Sequence, residues 1–304
     1  MIENHFTLTP QLLQQLELWL HEDLGRGDLT APALRNRCGQ AHWIAGATGI
    51  FCGGVLVKPL FQLLDPAVDV KYEVADGSSI VVGQRLLTLF GEAAALAAGE
   101  RTALNLAMRL SGIATTTSAL VQQLSGTGVQ LVDTRKTTPG LRTLEKYAVR
   151  CGGGGNHRMG LDDTAMLKEN HLAWAGGISA AVTAVRHEAP WSVRLIVEAE
   201  TASEARAAVL AGADGLLLDG FSPSQLRVLV PVLRRLASKR REGPIALEAS
   251  GVDIVQLKAY SNTGVDLISS SAPTSRSSWL DLSMRFEKLG QHTGFTSGGN
   301  ALSI

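Results

Sequence analysis

From residue 129 onward, short runs of β-branched residues and leucines alternate with helical stretches. The runs are Val129–Asp133, Ala165–Lys168, Val193–Glu198, Gly215–Asp219, Ile245–Glu248 and Val265–Ser269. Helices are expected at Leu141–Val149, Ile178–Glu188, Ala202–Ala211, Ser224–Leu236 and Ile254–Ser261. Such alternation builds a parallel sheet, because each strand needs a long crossover before the next can run beside it in the same direction. Six units make an open, incomplete α/β barrel or a doubly wound sheet. Ala211-Gly212-Ala213-Asp214-Gly215 and Asn262-Thr263-Gly264-Val265-Asp266 repeat one helix-to-strand turn, which favours the barrel.

The earlier part of the chain is mixed. Pro10 opens a helix with Leu12, Leu13, Leu16, Trp19 and Leu20 on one face, and the glycines of Asp23–Asp28 stop it. Strands are expected at 41–45, 68–74 and 85–90, with a helix over 52–65. Glu92–Leu110 is an alanine-rich helix and Thr115–Leu124 another. The tail, 290–304, is rich in Gly, Ser and Thr and is expected to be flexible.

Charge narrows the function. The 304 residues carry 28 cationic and 28 acidic side chains. That balance argues against nucleic acid or a membrane surface as partner. No apolar run reaches the roughly 18 residues of a membrane span. Cysteines 38, 52 and 151 are too few for a disulfide framework, so a cytoplasmic location is expected, and Cys151 is read as packing. Within this neutral chain, Asp133–His171 concentrates seven Arg or Lys and two His against five acids, around the glycine run 152–155. A local cationic cluster of this kind suits a small, multiply negative ligand. The glycines either let backbone approach that ligand or form a flexible turn.

In parallel α/β folds ligands bind at the carboxyl ends of the strands. Here the strands end in Asp133 with Arg135 and Lys136, then Lys168-Glu169, Glu198, Asp219, Glu248 and Ser269–Ser271. Six polar strand ends on one face point to a shared site. Arginine suits carboxylates and phosphates through its planar fork, and lysine serves as a point charge. Glu198 and Asp219 either hold Mg²⁺ against phosphate oxygens or form salt bridges with the nearby cations.

Long segments resemble quinolinate phosphoribosyltransferase. They are Glu22–Asp28, Glu100–Asn105, Leu110–Thr115, Asp133–Gly140, Glu145–Arg150, Asn156–Leu161, Lys168–His171 and Asp281–Phe286, in family order. The resemblance implies an α/β fold with an N-terminal α/β sandwich at 1–115, whose residues 1–25 are helical, and an open α/β barrel at 116–289. It implies transfer of phosphoribosyl from phosphoribosyl pyrophosphate to quinolinate, with decarboxylation and with Mg²⁺ as cofactor. It also implies a homodimer in which one sandwich caps the other barrel. By that resemblance Arg101 from the partner subunit, Arg135, His157, Arg158 and Lys168 hold the quinolinate carboxylates. Lys136 and Lys168 face the donor, and Glu198 and Asp219 position Mg²⁺ or ribose hydroxyls. Lys136, Lys168, Glu198 and Asp219 are thus the expected catalytic set. The Glu248–Gly251 segment, with Ser250 and Gly251, and the Ser269–Ala272 turn, with Ser271 and Ala272, cradle the 5-phosphate.

The sequence departs from the family pattern at Gly220, at Val252 and in Ser270-Ser271-Ala272-Pro273-Thr274, where a serine replaces glycine and a proline enters. A related group associated with molybdenum transport shares the Thr-Arg-Lys-Thr segment. Lys168 and Tyr147–Cys151 favour the quinolinate enzyme over it.

Overall fold

The computed structural model describes residues 6–240 and 243–287, so the expected flexible tail at 290–304 lies outside the described residues. Helix Pro10–Leu24 (α1) begins where the Thr9 side chain accepts the Leu12 N–H at 3.2 Å, and it stops at Gly25 with φ +51°. Strands Cys38–Ala45 (β1) and Gly49–Ile50 (β2), helix Val57–Gln62 (α2), and strands Asp69–Tyr72 (β3), Ser79–Ile80 (β4) and Arg85–Glu92 (β5) follow. Then comes a single helix, Ala93–Gln123 (α3), of 31 residues.

Two helices were expected where α3 is one. Gly112 does not break it, because the glycine serves a close approach. A Cβ there would lie 2.0 Å from the Ser278 carbonyl oxygen, so another segment packs directly on the helix backbone. At 1.5 Å per residue α3 runs about 46 Å. It contacts the sheet of the first half and then reaches the barrel, and residue 116, where the sequence reading divides the chain, falls inside it.

The barrel half is Gln130–Val132 (β6), Arg142–Cys151 (α4), Ala165–Leu167 (β7), Glu169–Trp174 (α5), Ile178–Glu188 (α6), Leu195–Ala199 (β8), Ala202–Leu210 (α7), Gly215–Asp219 (β9), Pro223–Ala237 (α8), Ala246–Ser250 (β10), Leu257–Ser261 (α9), Leu267–Ser269 (β11) and Ala272–Ser275 (α10). Its parallel sheet has the order β6-β11-β10-β9-β8-β7. The last strand of the series therefore pairs with the first, while β6 and β7, at the two ends of the order, stay unpaired with each other. That is the open barrel. A final strand, Leu282–Phe286 (β12), leaves the barrel and pairs antiparallel with β1 in the sheet β12-β1-β5-β3, although the sequence reading groups it with the barrel half.

The repeated turn has a structural equivalent. Arg186 of α6 reaches Gly212 O and Asp214, whose carboxylate accepts the Leu195 N–H at 2.7 Å. Arg234 of α8 reaches Gly264 O and Asp266, whose carboxylate accepts the Leu247 N–H at 2.7 Å. Each motif ties a helix to the amino-terminal start of a strand. The polar work at that end is structural, which leaves the opposite, carboxyl end for chemistry.

Candidate active site

Side-chain alternation sets what faces the barrel axis. Leu195, Val197, Leu216, Leu218, Leu247, Ala249 and Ile268 join the core under the helices. The alternate positions Glu198, Leu217, Asp219, Glu248, Ser250 and Ser269 then turn inward and line a cavity of about 340 Å³ at the carboxyl ends of the strands. Arg135, Lys136, His157, Arg158 and Lys168 complete its wall. Eight residues expected from the sequence are thus brought together: Arg135, Lys136, His157, Arg158, Lys168, Glu198, Asp219 and Ser250.

The wall is built on a buried ion pair. Asp133, at the end of β6, binds Lys146 of α4, and each side chain is 1% exposed. Asp133 also accepts the His157 N–H at 2.8 Å and the Asn156 amide at 2.6 Å, and Lys146 donates to His157 O at 3.0 Å. Asp133 is therefore an anchor, and it is not a rim ligand as its place among the strand ends suggests. Burial pushes its carboxyl above the usual value against the pull of Lys146. The glycine run is likewise a packing device. A Cβ at Gly152 would meet Ala114 O at 2.4 Å, and one at Gly155 would meet the Gln130 amide at 2.6 Å. Gly155 bridges to Val132, so the run carries the chain from α4 past α3 to the free edge of β6.

His157 is held at both ring nitrogens. Nδ1 accepts the Arg158 N–H at 2.7 Å, which places the ring proton on Nε2, 3.1 Å from Glu248 Oε2. The other Glu248 oxygen is buried without a partner among the described residues. Arg158 donates to Thr164 O at 3.0 Å. Burial, and then the adjacent Arg135 charge, push its guanidinium below the ordinary value. Two like charges held this close favour an anion between them.

Lys168 caps α5, with its backbone N–H bonded to His171 Nδ1 at 3.1 Å, and its ammonium pairs with Glu198. The salt-bridge reading of Glu198 is thus realised, whereas the Asp219 carboxylate accepts no hydrogen bond among the described residues. These two acids sit on neighbouring strands, and no third ligand clusters with them among the described residues. That donor set fits Mg²⁺, which is usually held by one or two carboxylates together with substrate phosphates and water.

Arg101, Gly251, Ser271 and Ala272 are not among the residues that line this cavity, although Ser250 and Ser269 beside them in the chain are. Arg101 is exposed on α3 and lines a separate cavity with Trp19, Glu22 and Asp23. Gly251, with φ +68°, abuts Asp219, where a Cβ would lie 3.2 Å from its carboxylate. In the serine-rich turn the Ser270 N–H bonds Val132 O at 3.0 Å, and the Ala272 N–H bonds Ser270 Oγ at 3.2 Å.

Sequence reasoning missed Lys146, Glu145 and Arg109. Glu145 is fully buried and accepts Arg109 Nη2 at 2.7 Å and Thr138 N at 3.0 Å. A buried charge reads like a surface one in sequence. Only the adjacent pair Glu145-Lys146, about 100° apart on one helix, hints that α4 buries charge towards two neighbours.

Comparison with known proteins decides the family. Models of the quinolinate phosphoribosyl transferase N-terminal and C-terminal domains match residues 28–111 and 113–285. The chain belongs to the quinolinate phosphoribosyltransferase family. It is 42% identical over 272 residues to a probable nicotinate-nucleotide pyrophosphorylase [carboxylating] of Synechocystis sp., covering 89% of this chain and 90% of that one. A protein of the same name from Bacillus subtilis is 42% identical over 277 residues, covering 90% and 93%. The solved nicotinate-nucleotide pyrophosphorylase from Francisella tularensis superposes with a TM-score of 0.85 at 34% identity, covering 92% of this chain and 98% of that one. The N-terminal α/β layer and open barrel expected of a quinolinate phosphoribosyltransferase are the fold observed.

Proposed function

We propose that the barrel mouth transfers phosphoribosyl from phosphoribosyl pyrophosphate to the ring nitrogen of quinolinate and releases CO₂, giving nicotinate mononucleotide for NAD biosynthesis. The observation that carries this reading is the convergence of Arg135, Lys136, Arg158 and Lys168 on one cavity that also holds Glu198 and Asp219. Arg135, Arg158 and Lys168 hold the two quinolinate carboxylates, with His157 as a fixed wall beside them. Lys136 faces the departing pyrophosphate. Ser250, Gly251 and the Ser271 hydroxyl take the 5-phosphate, since the Ser270 and Ala272 N–H groups are already committed within the protein.

Glu198 and Asp219 would hold Mg²⁺, which when bound neutralises charge on the pyrophosphate leaving group. Reaction proceeds by displacement at the anomeric carbon through an oxocarbenium-like state that the surrounding carboxylates favour. The 2-carboxylate then leaves as CO₂, the electron pair of the broken bond stays on C2 as a carbanion stabilised by the adjacent pyridinium nitrogen, and a proton takes the place of the carboxylate. Catalysis is positioning and electrostatics, which is why the site holds cations and no nucleophilic triad.

The working unit is a homodimer in the cytosol. Arg101 lines a cavity apart from its own mouth, and Met159, Leu161 and Trp174, in the segments that follow Arg158 and Lys168 in the chain, are exposed, the last to 89%. Exposed apolar side chains of this size favour cover by a second subunit, which would bring its own Arg101. The free cysteines agree with the location. The test mixes two strongly impaired variants, Arg101→Ala and Lys168→Ala. Dimers with one subunit of each have one intact site, so equal mixing is expected to restore roughly a quarter of wild-type activity. No recovery refutes the shared site.

A further inference from the structure

Thr274 joins the two walls of the mouth. It is 6% exposed and directly follows the serine-rich turn. Its Oγ1 lies 2.8 Å from Lys136 O and 3.0 Å from Ser271 O. Its carbonyl accepts Arg109 of α3, and Arg109 in turn binds Glu145. Glu145 holds the other end of the Lys136 loop through Thr138 N at 3.0 Å and Thr138 Oγ1 at 2.8 Å. One part-buried network therefore fixes the Lys136–Thr138 backbone and the Ser271–Thr274 turn together.

The threonine hydroxyl has one proton and two carbonyl acceptors in reach. Donation to Lys136 O ties the turn to the pyrophosphate wall, and donation to Ser271 O closes the turn on itself. A shift of either segment on binding its anion changes which acceptor is nearer, and so changes the tether on the other.

We propose that Thr274 is a positioning residue that couples quinolinate binding to phosphoribosyl-donor binding. The proposal rests on the site assignment above. It makes the affinity for one anion depend on occupancy by the other, with the hydroxyl as the two-way element both sites bias. A threonine that merely fills space between the loops has no such effect.

The test uses phthalate, which is quinolinate with C–H in place of the ring nitrogen and so cannot be ribosylated. Its Kd is measured by calorimetry with and without saturating phosphoribosyl pyrophosphate and Mg²⁺. For the unmodified protein the ratio is expected to differ from one by about fivefold or more. In Thr274→Val, which keeps the shape and loses the hydroxyl, the ratio is expected to fall to near one, and Thr274→Ser is expected to restore it. Thr138→Val, at an exposed position, removes the Oγ1 bond to Glu145 and keeps the backbone N–H bond, so it weakens the same network and is expected to lower the ratio in part, and the test survives if Thr274→Val fails to fold. A wild-type ratio of one overturns the coupling, as does an unchanged ratio in Thr274→Val or in Thr138→Val. Absence of phthalate binding to the unmodified protein would instead refute the site assignment.

Discussion

Lys146 of α4 and Asp133 at the end of β6 form an ion pair with each side chain 1% exposed. Removing the lysine leaves an uncompensated buried carboxylate and frees His157 O, so Lys146→Met is expected to destabilise the fold by about 3–5 kcal/mol. Urea unfolding measures it, and a change below about 1 kcal/mol would show that the pair does not anchor the wall.

Arg135 and Lys168 are the cations whose loss should be least tolerated. Arg135→Ala or Lys168→Ala is expected to lower kcat/KM for quinolinate by about 1.5–3 kcal/mol per lost charged hydrogen bond, at least tenfold, while the dimer persists in gel filtration. Near-normal kinetics in either variant would remove that residue from the site.

Glu200 stands among carboxylates. The charges of Glu169, Asp219, Glu204 and Glu198 raise its pKa above the ordinary 4.5. An acid whose pKa is raised on folding binds its proton more tightly in the native state, so stability is present below the unfolded pKa and is lost as pH rises through the folded one. Glu200→Gln is therefore expected to raise Tm at neutral pH and to leave it unchanged well below pH 4.5. A gain that persists in acid would point to another cause.

Gly112 of α3 tolerates no side chain, since its Cβ would lie 2.0 Å from Ser278 O. Gly112→Ala is expected to destabilise by about 1–3 kcal/mol despite the better helix propensity of alanine. Stabilisation on denaturant unfolding would refute the close approach.

The parallel half was legible because its signals are local. Gly215–Asp219 is β9 with the bounds read from the sequence, and capping boxes at Thr201/Glu204 and Ser222/Gln225 mark the starts of α7 and α8. What failed depends on contacts between distant segments. Ser111-Gly112 reads as a helix break until Ser278 packs on it. The glycine run reads as a close approach to ligand or a flexible turn until α3 and β6 are seen on either side. Leu282–Phe286 gives no sequence sign that it crosses back to β1. The rim cations were visible as a cluster, but Asp133 was misplaced because a strand-end carboxylate shows nothing of the buried lysine it meets.

The most direct measurement supplies purified protein with phosphoribosyl pyrophosphate, Mg²⁺ and quinolinate labelled in its 2-carboxylate, and follows both products. The expected result is nicotinate mononucleotide and labelled CO₂ in equal amounts, dependent on the donor. Absence of both products, or a mononucleotide that retains the label, would contradict the assignment of the barrel mouth as the site of transfer and decarboxylation.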